Sequence, residues 1–317
     1  MAKKQNDSAN ALQELKAAIK EKNLDRCYVF HGEEIFLLHH YLGQIKKLLI
    51  DELTESFNYH KLTVETFDIR SFADAVENLP MMAEATFVQV DDIDPFKLNE
   101  ADRSRMTEIL SDIPDYCTVV FTYETTPWKP DKRLKKLWEA VSGGNIVEFA
   151  RQDQRDLVAW VQRHFAAHKK RIDSRLCVYL IEITGGTMTA LSGEIEKICA
   201  YSGADEICKE DIDAVTEPVM DAVVFQMTDL ISAGQYGEAL MKLQQLLKKQ
   251  EEPIKILGAV GGQLRRLAIA RILSDNGRNA SELQRLCSPM PDFAARKTMD
   301  AARRFRPEFC RRAAELI

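Results

Sequence analysis

Residues 27–39, Cys27-Tyr28-Val29-Phe30-His31-Gly32-Glu33-Glu34-Ile35-Phe36-Leu37-Leu38-His39, run from an apolar strand pattern through a glycine into a helix pattern. That is the layout of a phosphate-binding loop. A working loop reads G-x-x-x-x-G-K-[ST], because glycine lets backbone N–H groups wrap the phosphates, lysine neutralises them and the hydroxyl holds magnesium. Counting from Gly32, the last three places fall on Leu37, Leu38 and His39. Two apolar side chains and an imidazole suit a helix packed into a core, so the segment keeps the shape of an NTPase site without its chemistry.

Other candidate groups weaken in the same way. Thr86-Phe87-Val88-Gln89-Val90-Asp91-Asp92 has the form of a strand ending in magnesium-holding acids, and Tyr123-Glu124-Thr125-Thr126 lies where a polar nucleotide sensor would follow the next strand. Without a phosphate loop, neither has a nucleotide to serve. His164 and His168 share the i, i+4 spacing of zinc-protease ligands, but Phe165 replaces the expected glutamate and no third ligand is evident, which favours two solvent-side histidines. No Ser/His/Asp or Cys/His set can be assembled. The seven cysteines are odd in number, widely scattered and free of C-x-x-C pairs, so reduced and mostly buried thiols are expected, with neither metal nor disulfide framework.

Three basic clusters remain. Lys132, Arg133, Lys135 and Lys136, and then Lys169, Lys170 and Arg171, read as solvated helix faces. Arg303, Arg304, Arg306, Arg311 and Arg312 are dense enough for contact with a phosphate backbone or an acidic partner. Gly258, Gly261 and Gly262 interrupt a helical pattern, where close helix packing is the expected reason. Leu79-Pro80-Met81-Met82-Ala83-Glu84 gathers apolar residues beside a helix-stopping proline. A loop of this composition folds back onto its own core, the ordinary outcome, or waits for a partner whose pocket flexible methionines could fill.

The elements that would position these residues divide the chain. An amphipathic stretch, 12–21, precedes strand patterns at 27–30, 57–64, 86–90, 118–123 and 146–149. Helix patterns at 35–49, 71–77, 100–110 and 132–141 separate them. Such β-then-α alternation predicts a parallel sheet covered by helices on both faces. Beyond residue 149 the strand signals stop. Helices follow one another to about 217, and a further helical region comprises 222–232, 236–248, 253–273 and 293–304. The expected domains are therefore 1–150 (α/β), 151–217 (a small helical domain) and 218–317 (all-α), in keeping with a length that exceeds one ordinary core. The pattern is still helical at Ile317, which suggests an incomplete last helix.

A chain that is 45% hydrophobic and 29% charged fits the soluble globular class and excludes disorder. No apolar run reaches membrane-span length, and Met1 to Ser8 lacks a secretory apolar region, so a cytoplasmic protein with no membrane partner is expected. A net charge of −6 argues against unaided binding to nucleic acid as the main task.

Taken in order, several segments resemble the delta subunit of the bacterial DNA polymerase III clamp loader, an AAA+-like family that has lost ATP binding. They are Tyr28 to Glu34, Leu79 to Val88, Lys132-Arg133-Leu134-Lys135-Lys136-Leu137, Gly186 to Leu191 running on to Glu194-Ile195-Glu196-Lys197, and Glu251 to Leu257. The resemblance covers nearly the whole chain. It implies a subunit of the polymerase holoenzyme in DNA replication with no catalytic activity and no cofactor of its own. Its partners would be the sliding clamp, the other loader subunits through the C-terminal domain, and primer-template DNA within the assembled complex. In the family, a paired apolar step after leucine-proline enters a pocket on the clamp and springs its ring open. Carried over, the pair is Met81 and Met82, with Leu79 as a neighbouring contact. Many relatives have aromatic or leucine-phenylalanine pairs here, and this sequence departs from them with two methionines. The alternatives are an AAA+-like DNA-binding or scaffold protein that does not act on the clamp, and an active ATPase. The ATPase would need a phosphate lysine that neither Lys46 nor Lys47 is placed to supply.

Overall fold

The central apolar runs of the first half, 27–31, 86–91 and 117–123, form strands that are buried on both faces, as a parallel sheet under two helix layers requires. The computed structural model describes residues 2–287 and 290–315, in two compact units, Met1–Arg151 and Gln152–Ile317. Helix α1 (Ala2–Glu21) leads to strand β1 (Cys27–His31) and helix α2 (Ile35–Leu49). Short α3 (Glu55–Asn58) runs directly into β2 (Tyr59–Leu62), followed by α4 (Ile69–Glu77), β3 (Thr86–Asp91), α5 (Glu100–Ser111), β4 (Cys117–Tyr123), α6 (Lys135–Ser142) and β5 (Asn145–Glu148). The sheet order is β2-β3-β4-β1-β5, and every pair is parallel.

Alternation of side chains along each strand divides the core. Cys27 and Val29 of β1 join Val88, Val90, Val119 and Phe121 beneath α4, α5 and α6. Tyr28 and Phe30 join Phe87, Val120 and Val147 on the opposite face, against α1 and α2. Capping sets the helix starts. The Asp68 carboxylate accepts from the Arg70 and Ser71 amides to begin α4, and Asn99 accepts from the Asp102 amide to begin α5. Residues 132–134, expected in helix, form a turn held by Asp131, whose carboxylate accepts from the backbone and guanidinium of Arg133.

In the second unit, α7 (Gln154–Ala167), β6 (Arg171–Ile172), α8 (Ser174–Thr184), α9 (Met188–Tyr201), β7 (Glu206–Ile207) and α10 (Lys209–Val215) come first. Strands β6 and β7 pair in parallel, a ladder of two residues that the sequence reading did not anticipate. Then follow α11 (Met220–Ser232), α12 (Tyr236–Lys248), α13 (Pro253–Asp275), α14 (Ala280–Leu286), α15 (Asp292–Ala302) and α16 (Pro307–Glu315). Val223, Val224, Leu246 and Ile256 form one core here, and Leu267, Leu283, Met299 and Phe305 belong to a second. Lys297 of α15 reaches Glu182 of α8 at 2.8 Å. The expected open helical end at Ile317 lies outside the described residues. No single described helix is long and apolar enough to cross a membrane.

Candidate functional site

Open parallel sheets bind ligands at the carboxyl ends of their strands, so that edge is the first place to look. Strand β1 ends at His31 and α2 begins at Ile35, leaving three residues where a phosphate loop would need room. Those residues close onto Phe149, just past the end of β5: the Glu34 amide donates to the Phe149 carbonyl at 2.9 Å, and the Phe149 amide donates to that of His31 at 2.7 Å. Gly32 has φ +131°, and a Cβ there would stand 2.3 Å from the Phe149 carbonyl oxygen. Glycine is thus needed for contact with the chain's own backbone. Leu38, at the lysine place, is fully buried with Leu42 and Ile45 along one face of α2. His39, at the hydroxyl place, holds its Nε2 2.8 Å from a Glu124 carboxylate oxygen.

The strand-end acids are engaged as well. Asp91 accepts from Thr122 at 2.6 Å and Gln89 at 2.7 Å, and lies 3.1 Å from Lys61. Asp92, at φ +56°, accepts from the amides of Glu124, Thr125 and Thr126 and from the Thr125 hydroxyl. Partial burial pushes the Asp92 carboxyl up, but the hydrogen bonds from Thr126, Thr125 and Glu124 outweigh it and hold the group below its usual range. A hollow of about 310 Å³ remains between His31 to Glu33 and residues 123–128, and its charged lining is Glu33 and Glu124. Two carboxylates repel a polyphosphate. Lys46 is turned to Glu55, at 2.6 Å, and the Tyr59 ring, at 3.9 Å.

The loop between α4 and β3 has a different character. Leu79 is 75% exposed, Met81 56% and Met82 94%. The ordinary outcome for so apolar a loop, folding back onto its core, does not occur. The loop's backbone meets a contact distant in sequence. Asn58, fully buried at the end of α3, accepts from the Met81 amide at 2.7 Å and donates to the Met81 carbonyl at 2.9 Å, while also donating to the Thr54 carbonyl at 3.2 Å. With the backbone of Met81 anchored on both sides, Met82 takes φ +55°. For a non-glycine residue that costs on the order of 1 kcal/mol. Sequence reasoning singled out Leu79, Met81 and Met82 and passed over Asn58, whose only local signal is an Asn beside a strand start. Leu53 and Phe57, in the segment leading to Asn58, are exposed too.

The remaining candidates resolve individually. His164 stacks on Trp160 with ring centroids 4.7 Å apart and lies 3.4 Å from the Ser192 hydroxyl, so it is half-buried where a solvent-side residue was expected. Burial, then His168, pushes its pKa down. No group of three His, Cys, Asp or Glu converges among the described residues. Cys27, Cys117 and Cys177 are buried free thiols, Cys199 and Cys287 are half-buried and Cys208 is exposed. Of the basic groups, Lys170 donates to the Ser202 and Ala204 carbonyls and Lys132 lies 4.7 Å over Trp138. Arg303, Arg304, Arg306 and Arg312 are exposed, and the Arg311 side chain lies outside the described residues. Close helix packing, expected for the glycines of α13, fails at two of them. Among the described residues, a Cβ at Gly258 would meet nothing within 4 Å, and one at Gly262 only the tip of Arg266 at 3.7 Å, whereas Gly261 is buried.

Comparison with known proteins bears on the chain as a whole. Residues 28–148 match the family model described as DNA polymerase III, delta subunit, and residues 221–317 match that of the delta subunit's C-terminal domain. The chain is 23% identical over 299 residues to the DNA polymerase III subunit delta of Bacillus subtilis (strain 168), spanning 92% of this chain and 85% of the relative. It is 22% identical over 269 residues to the probable DNA polymerase III subunit delta of Aquifex aeolicus (strain VF5), spanning 81% and 74%. Among solved structures, the Bacillus subtilis DNA clamp loader delta protein matches with a TM-score of 0.65 at 21% identity, over 95% of this chain and 90% of that one. That last likeness is one of fold, and it agrees with the five-stranded parallel sheet and helical second unit. With both of the family's models matched in order, over more than half of its length, the chain belongs to the DNA polymerase III delta-subunit family.

Proposed function

We propose that this chain is the clamp-opening subunit of a DNA polymerase III clamp loader, gripping the sliding clamp with Leu79, Met81 and Met82. The observation that carries this reading is the exposure of all three side chains on a loop whose backbone is anchored from within. Apolar side chains held in water lose nothing on leaving their own core and gain from entering a partner's pocket. The filled strand edge supports a mechanical part without its own ATP chemistry, with nucleotide handled by neighbouring subunits. In this reading residues 1–150 bind the clamp, 151–217 form a lid-like domain, and 218–317 join the other loader subunits around primer-template DNA.

Burying one methionine side chain contributes about 1.5–3 kcal/mol, so losing two should weaken the complex by roughly two to four decades. The test is titration of the chain with a bacterial sliding clamp. Met81→Ala combined with Met82→Ala should abolish measurable binding and leave the thermal melt of the free chain unchanged. Parental affinity in that variant, or its failure to fold, would overturn the assignment of this loop.

A further inference from the structure

The Met81 backbone presents one donor and one acceptor to the interior, and a single buried amide side chain meets both. Asn58 is fully buried, 23 residues away in sequence, and its third bond, to the Thr54 carbonyl, fixes its own orientation. The loop has no comparable restraint from its own side chains: Leu79, Met81 and Met82 all face solvent. Left alone, a short apolar segment with a non-glycine residue at φ +55° would relax toward ordinary backbone angles or collapse onto nearby apolar surface.

We propose that Asn58 is a positioning residue that holds the Met81–Met82 step in its partner-ready form before any partner arrives. This rests on the reading of that step as the clamp-binding element, and it adds how the element is kept ready. The physical gain is preorganisation: the ordering entropy of the loop is lost on folding, so it does not oppose association. If only a fraction of molecules held the loop correctly, the apparent affinity would fall by that fraction and the loss would appear in the association rate.

The experiment measures association and dissociation of the full chain with a sliding clamp, together with hydrogen exchange of the Met81 amide in the free chain. In the parent protein that amide should be protected, because it donates to a buried acceptor. Asn58→Ala should remove the protection and slow association by about tenfold, the cost of re-ordering one or two backbone residues, with little change in dissociation. A merely structural role would reduce the amount of active protein and leave both rate constants alone. Parental association by Asn58→Ala while Met81→Ala with Met82→Ala loses the clamp, or unprotected exchange at Met81 in the parent, overturns the proposal. The exchange measurement needs no variant, so it decides the matter even if Asn58→Ala folds poorly. The clamp reading fails separately, by parental affinity of the Met81→Ala, Met82→Ala chain. Protection of Met81 that disappears in Asn58→Ala would still uphold the positioning role in that case.

Discussion

Asp92 shows how an acid in a would-be catalytic place is put to other use. Its carboxylate gathers three successive amides and a hydroxyl, which turns the end of β4 into a closed loop. The folded pKa is depressed, so the stability Asp92 contributes is fully present above the ordinary carboxylate range and is lost as pH falls through the folded value. Asp92→Asn should therefore lower the urea midpoint most near neutral pH, and the gap to the parent should shrink below about pH 4. A gap of constant size across that range would show that the carboxylate's charge is not what the loop uses. Burial of Leu38 was legible because an apolar residue at helical spacing carries its own signal. The exposure of Met81 and Met82 was not legible, since composition favours burial and the contact that holds their backbone comes from Asn58, which the chain brings up from a different segment.

At the scale of elements, long and regular patterns were readable and short ones were not. The five strands of the sheet and helices such as α12 and α13 declare themselves by period and length. Strands β6 and β7, two residues each, and α14, seven residues, are too short to show any period, and tertiary contacts define them. The glycines of α13 misled for a physical reason: a glycine in a helix signals a backbone approach only when something approaches, and at Gly258 nothing among the described residues does. Gly258→Ala should thus stabilise the isolated chain by up to about 1 kcal/mol through helix propensity alone, seen as a higher melting temperature. A lower melting temperature would mean that the site is tighter than its open surroundings indicate. If the same variant assembles poorly with loader subunits, the space above Gly258 is where a partner helix fits.

Taken whole, the molecule exposes apolar surface in each of its two units. The first is the Leu79, Met81 and Met82 loop. The second lies on α12 and the start of α13, where Tyr236, Leu240 and Leu247 share a helical stripe and Ile254 and Leu257 are also largely exposed. Large apolar side chains gathered this way on a chain of net charge −6 fit an obligate neighbour better than a free surface. Under the clamp-loader reading these surfaces serve different partners, and their effects should separate. Leu240→Glu with Ile254→Glu should prevent co-elution with the other loader subunits, because an unpaired carboxylate buried in an apolar interface costs several kcal/mol. The same variant should bind the sliding clamp with parental affinity, whereas Met81→Ala with Met82→Ala should lose the clamp and keep the loader. Clamp loading on primed DNA would fail in both. If the glutamate variant also lost the clamp, or both variants lost the same partner, the division of labour between the two units would be wrong. A clean separation would leave the chain as a mechanical link, passing force between neighbours that hold nucleotide and a ring that must open.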